Sequence, residues 1–226
     1  MTTPTPGKST IDAPKSAADA NDAAATNLAA VVAEIKACTL CSESFGHEPR
    51  PIMQTHPRAQ IAIFSQAPGM RAHKSGRPFD DPSGVRLREW LGVDWDTFYN
   101  PKNFFIAPMA FCFPGYDAKG GDKPPPRLCA ETWRPGLMKM APHFKLILLI
   151  GGYAQRWHLK NARNRSLTDT VKAWRSYMPD RMLPLPHPSW RNNAWLKKNR
   201  WFADELEPYL KDRVETILYD KARRAS

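Results

Sequence analysis

The chain has 226 residues, with 33 Lys and Arg against 22 Asp and Glu and a formal net charge of +11, a size that suits one α/β domain with a tail and excludes any need for staples. Basic residues are spread along its length, so a polyanion is the expected partner, nucleic acid before membrane, with a basic protein lacking any polyanion partner as the other reading. The longest apolar run, Leu146 to Ile150, is too short to span a bilayer, and no secretory hydrophobic segment opens the chain, so a cytoplasmic protein with reduced thiols is expected.

Residues 1–27 are Ala, Thr, Pro, Lys, Ser and Asp with almost no large apolar side chain, which predicts a disordered tail. Leu28, Val31, Val32 and Ile35 then share one helical face that ends near Cys38. Gln60 to Phe64 is a β-branched and aromatic run stopping at Ser65-Gln66-Ala67-Pro68-Gly69, the pattern of a strand entering a tight loop. Ser83 is the expected cap of a helix through Leu87, Trp90 and Leu91, closed by Gly92. A second strand is predicted over Asn103–Met109, followed by a Gly/Pro/Lys loop from Pro114 to Pro126 and a helix around Cys129–Met140. Phe144–Ile150 reads as a buried parallel strand, and Gly151-Gly152 opens the next helix. A helix over Thr168–Tyr177, a short strand over Arg181–Leu185 and a helix over Asn193–Leu210 complete the pattern.

Strands that alternate with helices imply a three-layer α/β sandwich, a mostly parallel four-stranded sheet flanked by helices. Ligands of such sheets bind beyond the carboxyl ends of the strands. The loop at Ser65–Gly69, the loop after Met109 and the segment His187 to Arg191 each follow a strand, so they are expected to meet at one edge.

His187-Pro188-Ser189 puts an imidazole and an anion-binding turn on one stiff loop, because Pro186 and Pro188 fix φ and remove donors. By itself a His-Pro pair is also common in surface loops. Together with Ser65-Gln66-Ala67-Pro68-Gly69 and Ser75-Gly76-Arg77-Pro78-Phe79-Asp80-Asp81, taken in that order and spacing, it resembles the uracil-DNA glycosylase superfamily, and within it the bacterial iron-sulfur, family 4-like branch. The resemblance runs from about Leu28 to about Leu210. It implies a glycosylase-like domain over residues 28–212, a basic C-terminal extension over 213–226, and a monomeric, nucleoid-associated enzyme of base excision repair that acts on DNA carrying a damaged base.

What the resemblance implies for single residues follows motif by motif. His187 donates to the pyrimidine O2 of the departing base, and Phe79 stacks on the flipped base, although a plain core Phe after a proline is the competing reading. Ala67, Pro68 and Gly69, with Gln66, hold the base or the water, and Ser189 contacts the DNA backbone. Trp190 fills the gap left by the flipped base and Arg191 holds a phosphate, while Lys197 and Lys198 form either a DNA track or a solvated face. For Trp195 and Trp201 core packing is expected. Cys38 and Cys41 are separated by two residues, 70 residues separate Cys41 from Cys112, and 16 separate Cys112 from Cys129. This resembles the ligand pattern of a structural 4Fe-4S cluster, with zinc or unliganded core thiols as alternatives.

The chain also departs from the family. Ala67 stands where efficient relatives carry a water-positioning Asp, and Gln66 is no general base, so Asp80 and Asp81 are the nearest carboxylates, unless Asp81-Pro82-Ser83 is only a turn into a helix. Pro108 stands where relatives read uracil with an Asn, which leaves the excised base open between uracil and other deaminated bases. No lysine is singled out as a Schiff-base nucleophile, so simple hydrolysis is expected. The rival readings are a DNA-binding member of the fold that lost turnover and an iron-sulfur protein that senses redox state.

Overall fold

The structure, a computed structural model, describes residues 17–139 and 143–223. Its centre is a sheet of four strands, β1 (Ile61–Phe64), β2 (Phe104–Ile106), β3 (Leu146–Ile150) and β4 (Met182–Leu185). They lie in the order β2-β1-β3-β4, and every pairing is parallel. Residues on alternate faces pack into two separate cores, as the two-residue period of a strand requires. Ile61, Ile63, Leu148 and Leu183 face one helical layer, while Ala62, Phe64, Ile147 and Leu149 face the other. The three-layer α/β architecture with an all-parallel sheet is the one expected.

On the first face lie α3 (Pro82–Leu91) and α9 (Glu207–Arg223), which contribute Leu87, Trp90, Leu91, Leu210, Val214 and Ile217. The second face is covered by α1 (Ala17–Lys36), α5 (Arg127–Met138) and α6 (Gly151–His158), through Leu28, Ile35, Ala130, Leu137 and Ala154. Shorter helices α2 (Met70–Ser75), α4 (Trp95–Tyr99), α7 (Leu167–Lys172) and α8 (Asn193–Lys198) connect these layers.

Several boundaries differ from the sequence reading. Helix α1 starts at Ala17, inside the segment expected to be disordered. Its first turns are rich in Ala, which has the highest helix propensity, and they continue a helix already anchored through Leu28 and Ile35. Residues 1–16 of the expected tail lie outside the described residues. At the other end α9 runs through the expected boundary at residue 213, and Val214 and Ile217 are buried in the core. The 213–226 segment is therefore no separate extension as far as it is described.

The predicted helix over Asn193–Leu210 is broken after Lys198 and resumes through a π-helical segment, Phe202–Leu206. There Trp195, Trp201 and Phe202 pack edge to face, which accounts for both tryptophans as packing residues. The predicted helix over Thr168–Tyr177 likewise divides into α7 and a 3-10 segment, Trp174–Asp180. The cap of α3 is Asp81, whose Oδ1 accepts the Gly84 N–H at 2.8 Å, with Pro82 in the first turn, and not Ser83.

Candidate active site at the carboxyl edge of the sheet

In the order β2-β1-β3-β4 the connection reverses direction between β1 and β3, and the crevice at that point is where open parallel sheets bind ligands. A cleft of about 610 Å³ opens there, lined among others by Gln66, Ala67, Pro68, Gly69, Phe79, Asp81, His187, Ser189, Trp190 and Arg191. The three loops expected to converge do so. Asp80, one residue before Asp81, lies outside that lining, as do Lys197 and Lys198, which are exposed at the end of α8.

The first loop leaves β1 and is held against the chain leaving β2. Met109 N–H donates to Ser65 O at 2.8 Å, and Ala110 N–H donates to Gln66 O at 3.1 Å. Parallel pairing thus continues past the strand ends and presents Gln66 and Ala67 to the cleft. Pro108, at the position where an Asn was looked for, also lines the cleft and brings no side-chain donor.

Phe79 is half-buried, and its φ of 58° is left-handed, which costs a residue with a bulky side chain roughly 1–3 kcal/mol. Two neighbours hold it there. Gly84 lies so close that a Cβ would fall 1.7 Å from the Phe79 carbonyl oxygen, so only glycine fits. The Tyr99 hydroxyl donates to the Pro78 carbonyl at 3.0 Å. The ring meets Phe98 edge to face with centroids 6.4 Å apart while also lining the cleft. Core packing and exposure to the cleft therefore coexist in one side chain.

His187 follows β4 on a loop clamped from three directions. Arg86 on α3 donates to the carbonyls of Pro188 and Ser189 at 3.2 and 3.1 Å. The Asn192 side chain donates to His187 O at 2.7 Å. Gly151, at φ 79°, lets the start of α6 come within ordinary contact of the imidazole: a Cβ there would lie 3.7 Å from His187 Cβ. Beneath the loop the buried Gln155 amide donates to both Leu149 O and Leu185 O, tying the ends of β3 and β4 together. Neither Arg86 nor Gln155 carries a local sequence signal, because each acts on a segment distant in the chain.

Ser189 N–H donates to His187 Nδ1 at 3.2 Å. Burial pushes the His187 pKa below its ordinary value, opposed by the nearby Asp81 carboxylate. A neutral imidazole that accepts at Nδ1 must carry its proton on Nε2. His187 is thus a neutral donor poised to polarise or stabilise an acceptor that develops negative charge. The Ser189 N–H is used to set that tautomer.

Trp190 is 71% exposed at the cleft, and Tyr116, also exposed, lies in the same lining. Tyr116 belongs to a hairpin that closes within the Gly/Pro/Lys loop. Asp117 N–H donates to Gly121 O, Lys123 N–H donates to Gly115 O, and Asp117 Oδ1 accepts the N–H groups of Lys119 and Gly121. That loop was read as irregular; the turn chemistry of Asp117 and its glycines orders it. The hairpin brings Asp122 into the cleft beside Gly69, a placement missed because Asp122 is far from every motif.

The four cysteines converge on the opposite side of the loop after β2. Cys38, Cys41, Cys112 and Cys129 line one small apolar cavity with Ile35, Phe111 and Trp133, and none is in a disulfide. Burial pushes the Cys112 thiol up to about 12 and Cys129 to about 11, each raised further by the other cysteines. Among the described residues no group of three or more His, Cys, Asp or Glu is gathered tightly enough to hold a single metal ion.

Beside Cys129 on α5, Arg134 is 1% exposed. One of its nitrogens donates to Ala107 O and Pro108 O. Its Nε and Nη1 have no partner among the described residues, and burial lowers its pKa to about 10, opposed by Cys129. A buried guanidinium without a counter-charge is costly, so this arrangement suits an anionic group held on the four thiolates.

A family model of the uracil DNA glycosylase superfamily matches residues 52–211. The match spans the sheet, the cleft, Cys112 and Cys129, and it begins after Cys38 and Cys41. With its parallel sheet, its cleft at the carboxyl edge and His187 on a clamped loop within that match, the chain belongs to the uracil DNA glycosylase superfamily.

Proposed function

We propose that the protein is a monofunctional DNA glycosylase that hydrolyses the N-glycosidic bond of uracil, or of another deaminated base, in base excision repair. Superfamily membership supplies the general class, a glycosylase acting on DNA. The finer reading rests on His187: a neutral imidazole whose tautomer is set by the Ser189 N–H and whose loop is clamped by Arg86.

A stacked base cannot be reached by the enzyme, so the nucleotide is extruded into the cleft at a cost of a few kcal/mol. Phe79 offers its ring to the flipped base, and Trp190 offers an exposed indole to the gap left in the stack. As the glycosidic bond lengthens, the sugar becomes positive and the base negative. His187 Nε2–H stabilises the base anion, a contribution worth roughly 10²- to 10³-fold in rate for one preorganised donor. The Asp81 carboxylate lines the same cleft, close enough to act on His187, and its negative potential favours the positive charge that develops on the sugar.

Cys38, Cys41, Cys112 and Cys129 are the residues that hold a 4Fe-4S cluster of the family 4-like kind in this reading, supported by their shared cavity and by the unpaired charge of Arg134. Its contribution would be structural, with the four cysteines joining the end of α1 to the chain after β2 and to α5.

The second reading, a DNA-binding member without turnover, is favoured by one observation: the β1 loop, Ser65 to Gly69, offers the cleft no carboxylate. A uracil-containing oligonucleotide, incubated with the protein or its His187→Ala variant and treated with alkali, separates the two. Strand cleavage that falls by roughly 10²-fold in the variant supports the glycosylase. A retarded complex with no cleavage, for uracil and for a panel of deaminated bases, supports the binder.

A further inference from the structure

We propose that Asp122, on the hairpin between Cys112 and α5, is the carboxylate that positions and deprotonates the attacking water. The inference rests on the glycosylase reading above and supplies the function that the β1 loop lacks.

Three carboxylates near the cleft have to be told apart. Asp81 is committed to the helix, because its Oδ1 accepts the Gly84 N–H at 2.8 Å. Asp117 is committed to the hairpin, because its Oδ1 accepts from Lys119 and Gly121 at 2.8 and 2.9 Å. Asp122 lines the cleft, and among the described residues its carboxylate accepts no hydrogen bond and joins no ion pair. Its Oδ2 stands beside the β1 loop, 3.5 Å from where a Cβ on Gly69 would lie. A free carboxylate is thereby delivered next to the β1 loop, which brings none of its own to the cleft.

The hairpin that carries Asp122 is rigid enough for the task. It is closed by the Asp117–Gly121 and Lys123–Gly115 backbone hydrogen bonds and by the two bonds to Asp117 Oδ1. Partial burial and the neighbouring Asp81 and Asp117 raise the Asp122 pKa, with Arg191 opposing, which makes it a better proton acceptor than an exposed aspartate.

The step balances without a co-reactant. The bond from the sugar C1′ to the base nitrogen breaks, and its electron pair leaves with the base, whose anion is stabilised by His187. The water oxygen bonds to C1′, and one water proton passes to the Asp122 carboxylate. Solvent later protonates the base and recovers the proton from Asp122. The products are the free base and an abasic sugar.

The test is single-turnover excision, with DNA affinity measured in parallel, for the unsubstituted protein, Asp122→Asn and Asp117→Asn. An Asn at 117 keeps the acceptor that orders the hairpin, so it removes the same charge without the proposed role. The expected result is a loss of roughly 10²-fold or more in rate for Asp122→Asn, with affinity unchanged and Asp117→Asn close to the unsubstituted rate. Near-normal excision by Asp122→Asn overturns the inference and leaves the glycosylase reading intact, and equal losses in both variants overturn it in favour of a general charge effect. No excision by the unsubstituted protein on any base overturns both readings.

Discussion

A few residues in this protein are held in states that cost free energy, and each cost has an identifiable purpose or consequence. Phe79 keeps a left-handed backbone because Gly84 leaves room for its carbonyl, and that backbone turns a core aromatic toward the cleft. His158 stacks on Phe64 with centroids 4.8 Å apart, near Arg134, and burial followed by the Arg134 charge lowers its pKa to about 3. Native His158 therefore stays neutral where the unfolded chain takes up a proton. Stability contributed above the ordinary value of 6.5 is lost as pH falls toward 3, by roughly 4–5 kcal/mol at about 1.4 kcal/mol per pH unit. His187 and His73, both lowered chiefly by burial, act in the same direction. Urea unfolding of His158→Phe between pH 7 and 4 is expected to show a shallower loss than the unsubstituted protein; an unchanged slope would contradict this role for His158.

At the scale of elements, the site is built by clamps between segments that are remote in the chain. Arg86 reaches the His187 loop across 102 and 103 residues of sequence, and Gln155 joins the ends of β3 and β4. Hydrogen bonds from a charged donor are worth about 1.5–3 kcal/mol. Arg86→Ala is expected to loosen the loop and slow single-turnover excision by roughly 10- to 100-fold, with Arg86→Lys recovering part of the rate. A thermal melt made alongside is expected to fall by several degrees yet stay cooperative, since Arg86 lies outside the two cores, so the variant is still folded where the rate is measured. Loss of rate without loss of fold is the signature of a positioning residue. The same logic governs the hairpin at Gly115–Lys123, where Asp117 supplies the turn and Asp122 faces the cleft.

At the scale of the whole molecule, two helical layers close both faces of the sheet, and the first and last described helices, α1 and α9, take part. Val214 and Ile217 of α9 are buried against the face shared with α3. Removing residues 213–226 is therefore expected to destabilise the protein by roughly 3–6 kcal/mol, from about 1.5–3 kcal/mol for each buried aliphatic side chain. A truncated protein that melts with the full chain would show that these contacts contribute nothing. Among the described residues no helix is long and apolar enough to cross a membrane.

Much of this organisation was legible in the chain itself. Short apolar runs stopping at Gly/Pro loops gave all four strands, and their alternation with helices gave the parallel sheet and the convergence of the β1 and β4 loops with the chain after β2. Those features are local, since strand period, turn residues and chain order are written in neighbouring positions. Other features depend on which distant segments pack together. These include the burial of α9 beyond residue 212 and the placing of the Asp122 hairpin in the cleft, whereas the Asp81 cap in place of Ser83 is a local choice between two capping residues. The unpaired charge of Arg134 belongs to the same class, while the gathering of four cysteines on one cavity was expected from their spacing. A hydrogen bond across a hundred residues, or a charge stripped of water, exists only once the chain has folded, and so only the tertiary structure decided which of the candidate side chains share the cleft.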